Sequence, residues 1–143
     1  MIKVKILYTD LNGIARFADY PVSCKPVNER VSLSEVTTAS GFQFRQSPPK
    51  ILNPWHCTSR ESSQWVVVTS GLMRVGLRDG SFEDFATGEM FLSMDIQPSD
   101  IFEDHNGHTS QAAGELPLET FFVKVPYSDC FQLLSNFGIN TVG

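Results

Sequence analysis

The chain has 143 residues, 41% of them hydrophobic and 19% charged, with a formal net charge of −5. This length suits one domain with its own core, and no apolar run approaches the ~18 residues that a membrane span needs. The negative charge argues against nucleic acid and anionic membranes as partners, and the three unclustered cysteines, Cys24, Cys57 and Cys130, argue against a disulfide framework or a CxxC zinc site.

The first stretch, Met1 to Asp10, alternates Val4, Ile6 and Tyr8 with Lys3, Lys5 and Leu7. That is a strand pattern and not a signal peptide, so a cytoplasmic location is expected. Asp10-Leu11-Asn12-Gly13 is a turn signal, and Ile14 to Val22 can return as the second arm of a hairpin. Cys24 to Val36 is ambiguous. Gly41 to Arg45 alternates again, and Ser47-Pro48-Pro49 ends that strand. Ile51 to Thr58 reads as extended. Gln64 to Thr69 is the clearest strand; both its faces are apolar, so it needs cover on both sides, from a second sheet or a second subunit.

Met73, Val75 and Leu77 predict a half-buried strand. Asp79-Gly80 predicts a tight two-residue hairpin, with Phe82 to Phe85 returning. Met90 to Met94 and Leu118 to Val125 predict two more strands, separated by a long acidic loop from Asp95 to Ala113. Cys130, Leu133, Leu134 and Phe137 fall on one helical stripe, with Ser128 or Asp129 to cap the start and Gly138 the end. About eight short strands and one terminal helix indicate an all-β sandwich or barrel. The expected layout is one domain over 1–143, with N-terminal strands in 1–36, a core at about 40–125 and a helix over 128–138.

Charge is uneven along this layout. Residues 1–78 carry ten Lys/Arg and five Asp/Glu, whereas residues 79–143 carry one Lys and eleven Asp/Glu. The halves are expected to interleave in the fold and neutralise each other; the alternative is an acidic rim suited to a cation.

Gln64-x6-Gly71, the Asp79-Gly80 turn, Thr87-Gly88-Glu89 and Gly107-His108-Thr109 together resemble the small single-domain cupins of the RmlC-like superfamily, over about residues 40–125. The resemblance implies a single jelly-roll barrel, the double-stranded β-helix. Carried over by position, the superfamily's glutamate ligand falls on Gln64 and the histidine of its second motif on His108. Its H-x-H pair would fall between Cys57 and Arg60 and is absent; His56 is the nearest histidine.

The resemblance therefore implies a degenerate metal site, with His56, Gln64 and His108 as candidate ligands of one divalent transition metal (Fe, Mn, Ni or Zn). Asp95 is a further candidate, because two histidines and a carboxylate form a recurrent metal set; His105 is another possible contributor. Three readings follow. The first is a barrel that binds a small polar molecule through His56, Gln64, Asp95 and His108. The second is a metal-dependent dioxygenase, lyase or isomerase. The third is a metal-independent epimerase or isomerase with His56 and Asp95 as its acid–base pair. Cys57 beside His56 is not expected to act as an activated thiol, because neighbours on a strand point to opposite faces; the alternative is a His–Cys pair. A homodimer is expected from the doubly apolar strand and the helical stripe.

Overall fold

The computed structural model describes residues 2–59, 61, 63–97, 106–136 and 138–141. The chain opens on the expected hairpin, β1 (Ile2–Thr9) and β2 (Ala15–Val22). Asp10 builds its turn: Oδ1 accepts from the Asn12 and Ile14 amides at 2.8 and 3.1 Å. The ambiguous stretch forms a small exposed ribbon, β3 (Lys25–Pro26) paired with β4 (Ser32–Leu33). Then follow β5 (Gly41–Ser47), β6 (Leu52–His56), β7 (Gln64–Ser70), β8 (Leu72–Gly76), β9 (Phe82–Ala86), β10 (Met90–Ser93), β11 (His108–Ala112), β12 (Leu118–Lys124) and the helix α1 (Tyr127–Asn136).

Two sheets face each other. One has the order β2-β1-β10-β7-β12-β5 and the other β6-β11-β8-β9. Neighbours are antiparallel except β1, which runs parallel to β10. From β5 onward the chain changes sheet at every connection except the β8–β9 hairpin. That winding is a jelly-roll barrel. Leu7, Val66, Val68, Val75, Phe85, Phe91 and Phe122 fill the space between the sheets.

The two faces of β7 are covered differently. Val66 and Val68 enter the barrel, while Trp65 packs outward against a second cluster built from Ile6, Leu92, Met94 and the helix residues Cys130 and Leu134. The chain's own helix thus supplies the outer cover at Trp65. It begins at Tyr127, just after Pro126 and one residue before the expected cap. It closes as expected on Gly138, with φ of 75° and bonds from the Gly138 and Ile139 amides to the Ser135 and Leu134 carbonyls, both 3.0 Å.

Two expectations are corrected. Asp79-Gly80 does not form a two-residue turn: Leu77 and Ser81 pair across a three-residue loop, and Gly80 alone takes positive φ, at 86°. The Asp79 side chain accepts from the Ser81 amide at 2.8 Å, which favours this bulged form. The second correction lies within the stretch Asp95–Ala113, read as loop: it contains β11. The buried face of β11 is His108, Ser110 and Ala112, so no apolar alternation betrays it. Residues 98–105, including His105, lie outside the described residues.

The charge halves do interleave. Lys5 meets Glu83 at 3.8 Å, Lys50 meets Glu115 at 3.3 Å and Arg74 meets Asp84 at 2.8 Å. Among the described residues, no helix is long and apolar enough to cross a membrane.

Candidate functional site

A cavity of ≈ 270 Å³ opens between the sheets at one end of the barrel. Its histidines come from neighbouring strands: His108 on β11 lies directly opposite His56 on β6, and their ring centroids are 4.4 Å apart at 58°. Gly107 makes this approach possible. Its φ is +81°, and a Cβ there would stand 2.5 Å from the His56 carbonyl oxygen. Arg78 braces the same corner, with Nε and Nη2 donating to the Asn106 carbonyl at 3.1 and 3.0 Å and its guanidinium 3.9 Å from the centroid of the Trp55 ring.

Each imidazole is anchored through Nδ1. His108 Nδ1–H donates to Asp95 Oδ2 at 2.7 Å, with both side chains buried. His56 Nδ1–H donates to the Pro54 carbonyl at 2.6 Å. This fixes the tautomer and leaves both Nε2 atoms as acceptors. His56 keeps exposed surface at the cavity mouth. Desolvation of its ring nonetheless holds it below the ordinary value of 6.5, helped by His108 and Arg45 and opposed by the Pro54 bond.

Asp95 does not line the cavity; it lies behind His108. Its other oxygen accepts from Thr58 Oγ1 at 2.9 Å, and Thr58 Oγ1 meets Ser93 Oγ at 2.7 Å. Because the carboxylate can only accept, Ser93 donates to Thr58 and Thr58 donates to Asp95. The expected His56–Asp95 pair is therefore corrected to His108–Asp95. The backbone that carries Asp95 is fixed by Thr9, whose hydroxyl donates to the Ile96 carbonyl at 3.0 Å and accepts from the Ile96 amide at 2.8 Å.

Gln64 and Lys124 face the cavity from the other sheet. They are partners across β7 and β12, and Lys124 Nζ donates to Gln64 Oε1 at 2.6 Å. Arg45 on β5 also lines this wall. Arg45 thus joins the site, while Trp65 lies on the outer face and Arg74 pairs with Asp84. Cys57 lines the cavity too. Burial, with the Asp95 carboxylate nearby, pushes its thiol up to about 12, so it is no thiolate nucleophile near neutral pH.

The winding of the two sheets, with inward polar groups at one mouth, decides the fold. It is a jelly roll, the double-stranded β-helix. Solved structures similar to the chain include an RmlC-like cupin family protein with a double-stranded β-helix fold from Methanocaldococcus jannaschii, at 14% identity and TM-score 0.45, covering 92% of this chain and 86% of that one. A cupin 2 conserved barrel domain protein from Salinispora arenicola matches at 11% identity and TM-score 0.43, covering 91% and 89%. A cupin-2 domain containing protein from Shewanella frigidimarina matches at 16% identity and TM-score 0.41, covering 58% and 67%. No family model matches the sequence, and no curated protein matches it.

Two histidines lining one cavity are a partial donor set for a metal. His56 and His108 each offer Nε2, anchored as metal-bound histidines are. Among the described residues, no third donor joins them. Gln64 Oε1 is engaged by the Lys124 ammonium, and Asp95 is committed to His108 and Thr58. Among the described residues, no three of His, Cys, Asp or Glu come together to hold an ion. Two neutral nitrogens beside an ammonium do not make a resident site for a divalent cation.

Proposed function

We propose that this cupin-type barrel binds a small polar molecule in the cavity between His56, His108, Gln64 and Lys124. One observation carries the reading: the two neighbouring imidazoles have their Nδ1 atoms tied down, and both rings line the same cavity. Apolar walls from Val66, Met73, Phe91 and Phe122 enclose that space. A few convergent polar groups on apolar walls make a small-ligand pocket. The cavity of ≈ 270 Å³ has room for about nine waters at ~30 Å³ each, which favours a metabolite well below nucleotide size.

The test is a thermal-shift screen with small sugars, polyols, amino acids and carboxylates. At least one compound should raise Tm saturably. A complete panel without a saturable shift would remove the reading.

The buried His108–Asp95 pair favours a second reading, metal-independent acid–base chemistry on the bound molecule. Asp95 would hold the imidazole in one tautomer, and Nε2 would take a proton from the ligand. Incubating a ligand from the screen in D2O checks this. Deuterium incorporation at a C–H position, lost in His108→Gln, supports a catalyst; no incorporation leaves a binding protein.

We also propose pairing with a second copy. The edge strand β5 presents Phe42 and Phe44, 70% and 73% exposed, next to Phe121, with ring centroids 5.0 to 6.2 Å apart. A sheet edge can pair with its own symmetry mate, and aromatic cover of this kind is normally buried.

A further inference from the structure

We propose that the occupant of the cavity is a small carboxylic acid with a hydrogen-bond donor near its other end. This rests on the binding reading above and names its chemistry. The charged side chains that line the cavity, among the described residues, are Arg45 and Lys124, both cationic. Neither is ion-paired among those residues, and Lys124 rests on the neutral Gln64 amide. This happens in a chain of net charge −5, where Lys124 is the one Lys or Arg among residues 79–143. Gln64 is a neutral amide, and the neighbouring ammonium takes its oxygen. The wall is thus built to receive negative charge.

The opposite wall has the reverse character. Its two Nε2 atoms are acceptors, because each Nδ1–H is spent on Asp95 or Pro54. A ligand that fits both walls presents a carboxylate to Lys124 and the Gln64 amide, with Arg45 adding positive charge farther along the same wall, and a hydroxyl or amino hydrogen to the histidines. Charge-assisted hydrogen bonds inside a partly desolvated cavity make the first contact the stronger one. The Lys124 ammonium and the Gln64 NH2, side by side on neighbouring strands, suit the two oxygens of a planar carboxylate. A phosphate would call for more donors, such as a nest of backbone amides.

Isothermal titration of the full chain with glycerate and lactate, against glyceramide and lactamide, tests the assignment. The acids should bind at least about tenfold more tightly than their amides, a difference expected for a charge-assisted contact. Lys124→Met should lose that preference while keeping its circular dichroism spectrum. The acid-to-amide ratio in the unaltered protein stands as evidence whether or not the variant folds. Equal binding of acids and amides, or binding of neutral polyols alone, overturns the carboxylate while keeping the binding barrel. Inorganic phosphate competing as well as the acids overturns it in favour of an unselective anion site. No binding by either class, together with a blank thermal screen, removes the binding reading itself.

Discussion

His108 donates Nδ1–H to Asp95 across 2.7 Å, with Asp95 fully buried. Asp95 is thus the group behind the site and not a group in it. Removing His108 would strand a buried carboxylate on Thr58 alone. His108→Ala should cost on the order of 3 kcal/mol, read as a lower urea midpoint. Asp95→Asn keeps the shape but can present NH2 to Nδ1, which reverses the tautomer. It should weaken ligand binding more than it weakens the fold, and calorimetry beside denaturation separates the two.

Gly107 predicts a backbone effect. Its φ of +81° disfavours any side chain, and a Cβ would collide with the His56 carbonyl. Gly107→Ala should cost roughly 1–3 kcal/mol and separate the two imidazoles. Proton NMR of the histidine Cε1–H resonances would report both at once. An unshifted spectrum would show that the approach is not needed.

His56 predicts a pH dependence. Its desolvated ring titrates below 6.5 in the fold and near the ordinary value when unfolded. The unfolded chain therefore binds the proton first as pH falls. Stability is full above about 6.5 and declines as pH falls toward the folded value. His56→Gln should flatten the change in Tm between pH 7.5 and 5. A slope unchanged by the substitution would assign the effect to another group.

The donor set predicts weak affinity for metal ions and a way to raise it. Protein grown with Fe, Mn, Ni or Zn should carry well under one equivalent by elemental mass spectrometry. The double substitution Gln64→Glu with Lys124→Met places a carboxylate beside two histidines and removes the ammonium. It should bind Zn or Ni at least about tenfold more tightly. A stoichiometric metal in the unaltered protein would overturn this account of the cavity.

The aromatic edge predicts assembly. Gel filtration should give a dimer, and Phe42→Ser with Phe44→Ser should give a folded monomer. A monomer without substitution would remove the proposed pairing.

Much of the barrel was legible in the sequence because its strands alternate and its turns carry Gly, Asp and Asn. β11 was not, because its buried face is a histidine, a serine and an alanine. Gln64 and His108 were reached through motif positions, and both line the cavity. The pairing of His108 with Asp95 was not legible: thirteen residues separate them, and only the return of β11 alongside β6 sets which histidine meets the acid. Lys124 gave a faint signal, a single cation in an acidic half-chain. Thr58 and Ser93 were invisible, because a hydroxyl that serves a buried carboxylate looks like any loop or strand-end polar residue.

Thr9 holds the backbone beside Asp95, and the Thr141 hydroxyl in turn donates to the Thr9 carbonyl at 2.6 Å, a contact spanning 132 positions. The order of synthesis gives this knot a consequence. While the polypeptide emerges from a ribosome, β1 and the Asp95 segment can meet, but the final strap is added only after Thr141 has cleared the exit tunnel. The pocket is therefore expected to mature late, so a nascent chain stalled before Thr141 would display a barrel before it displays a settled histidine–aspartate pair.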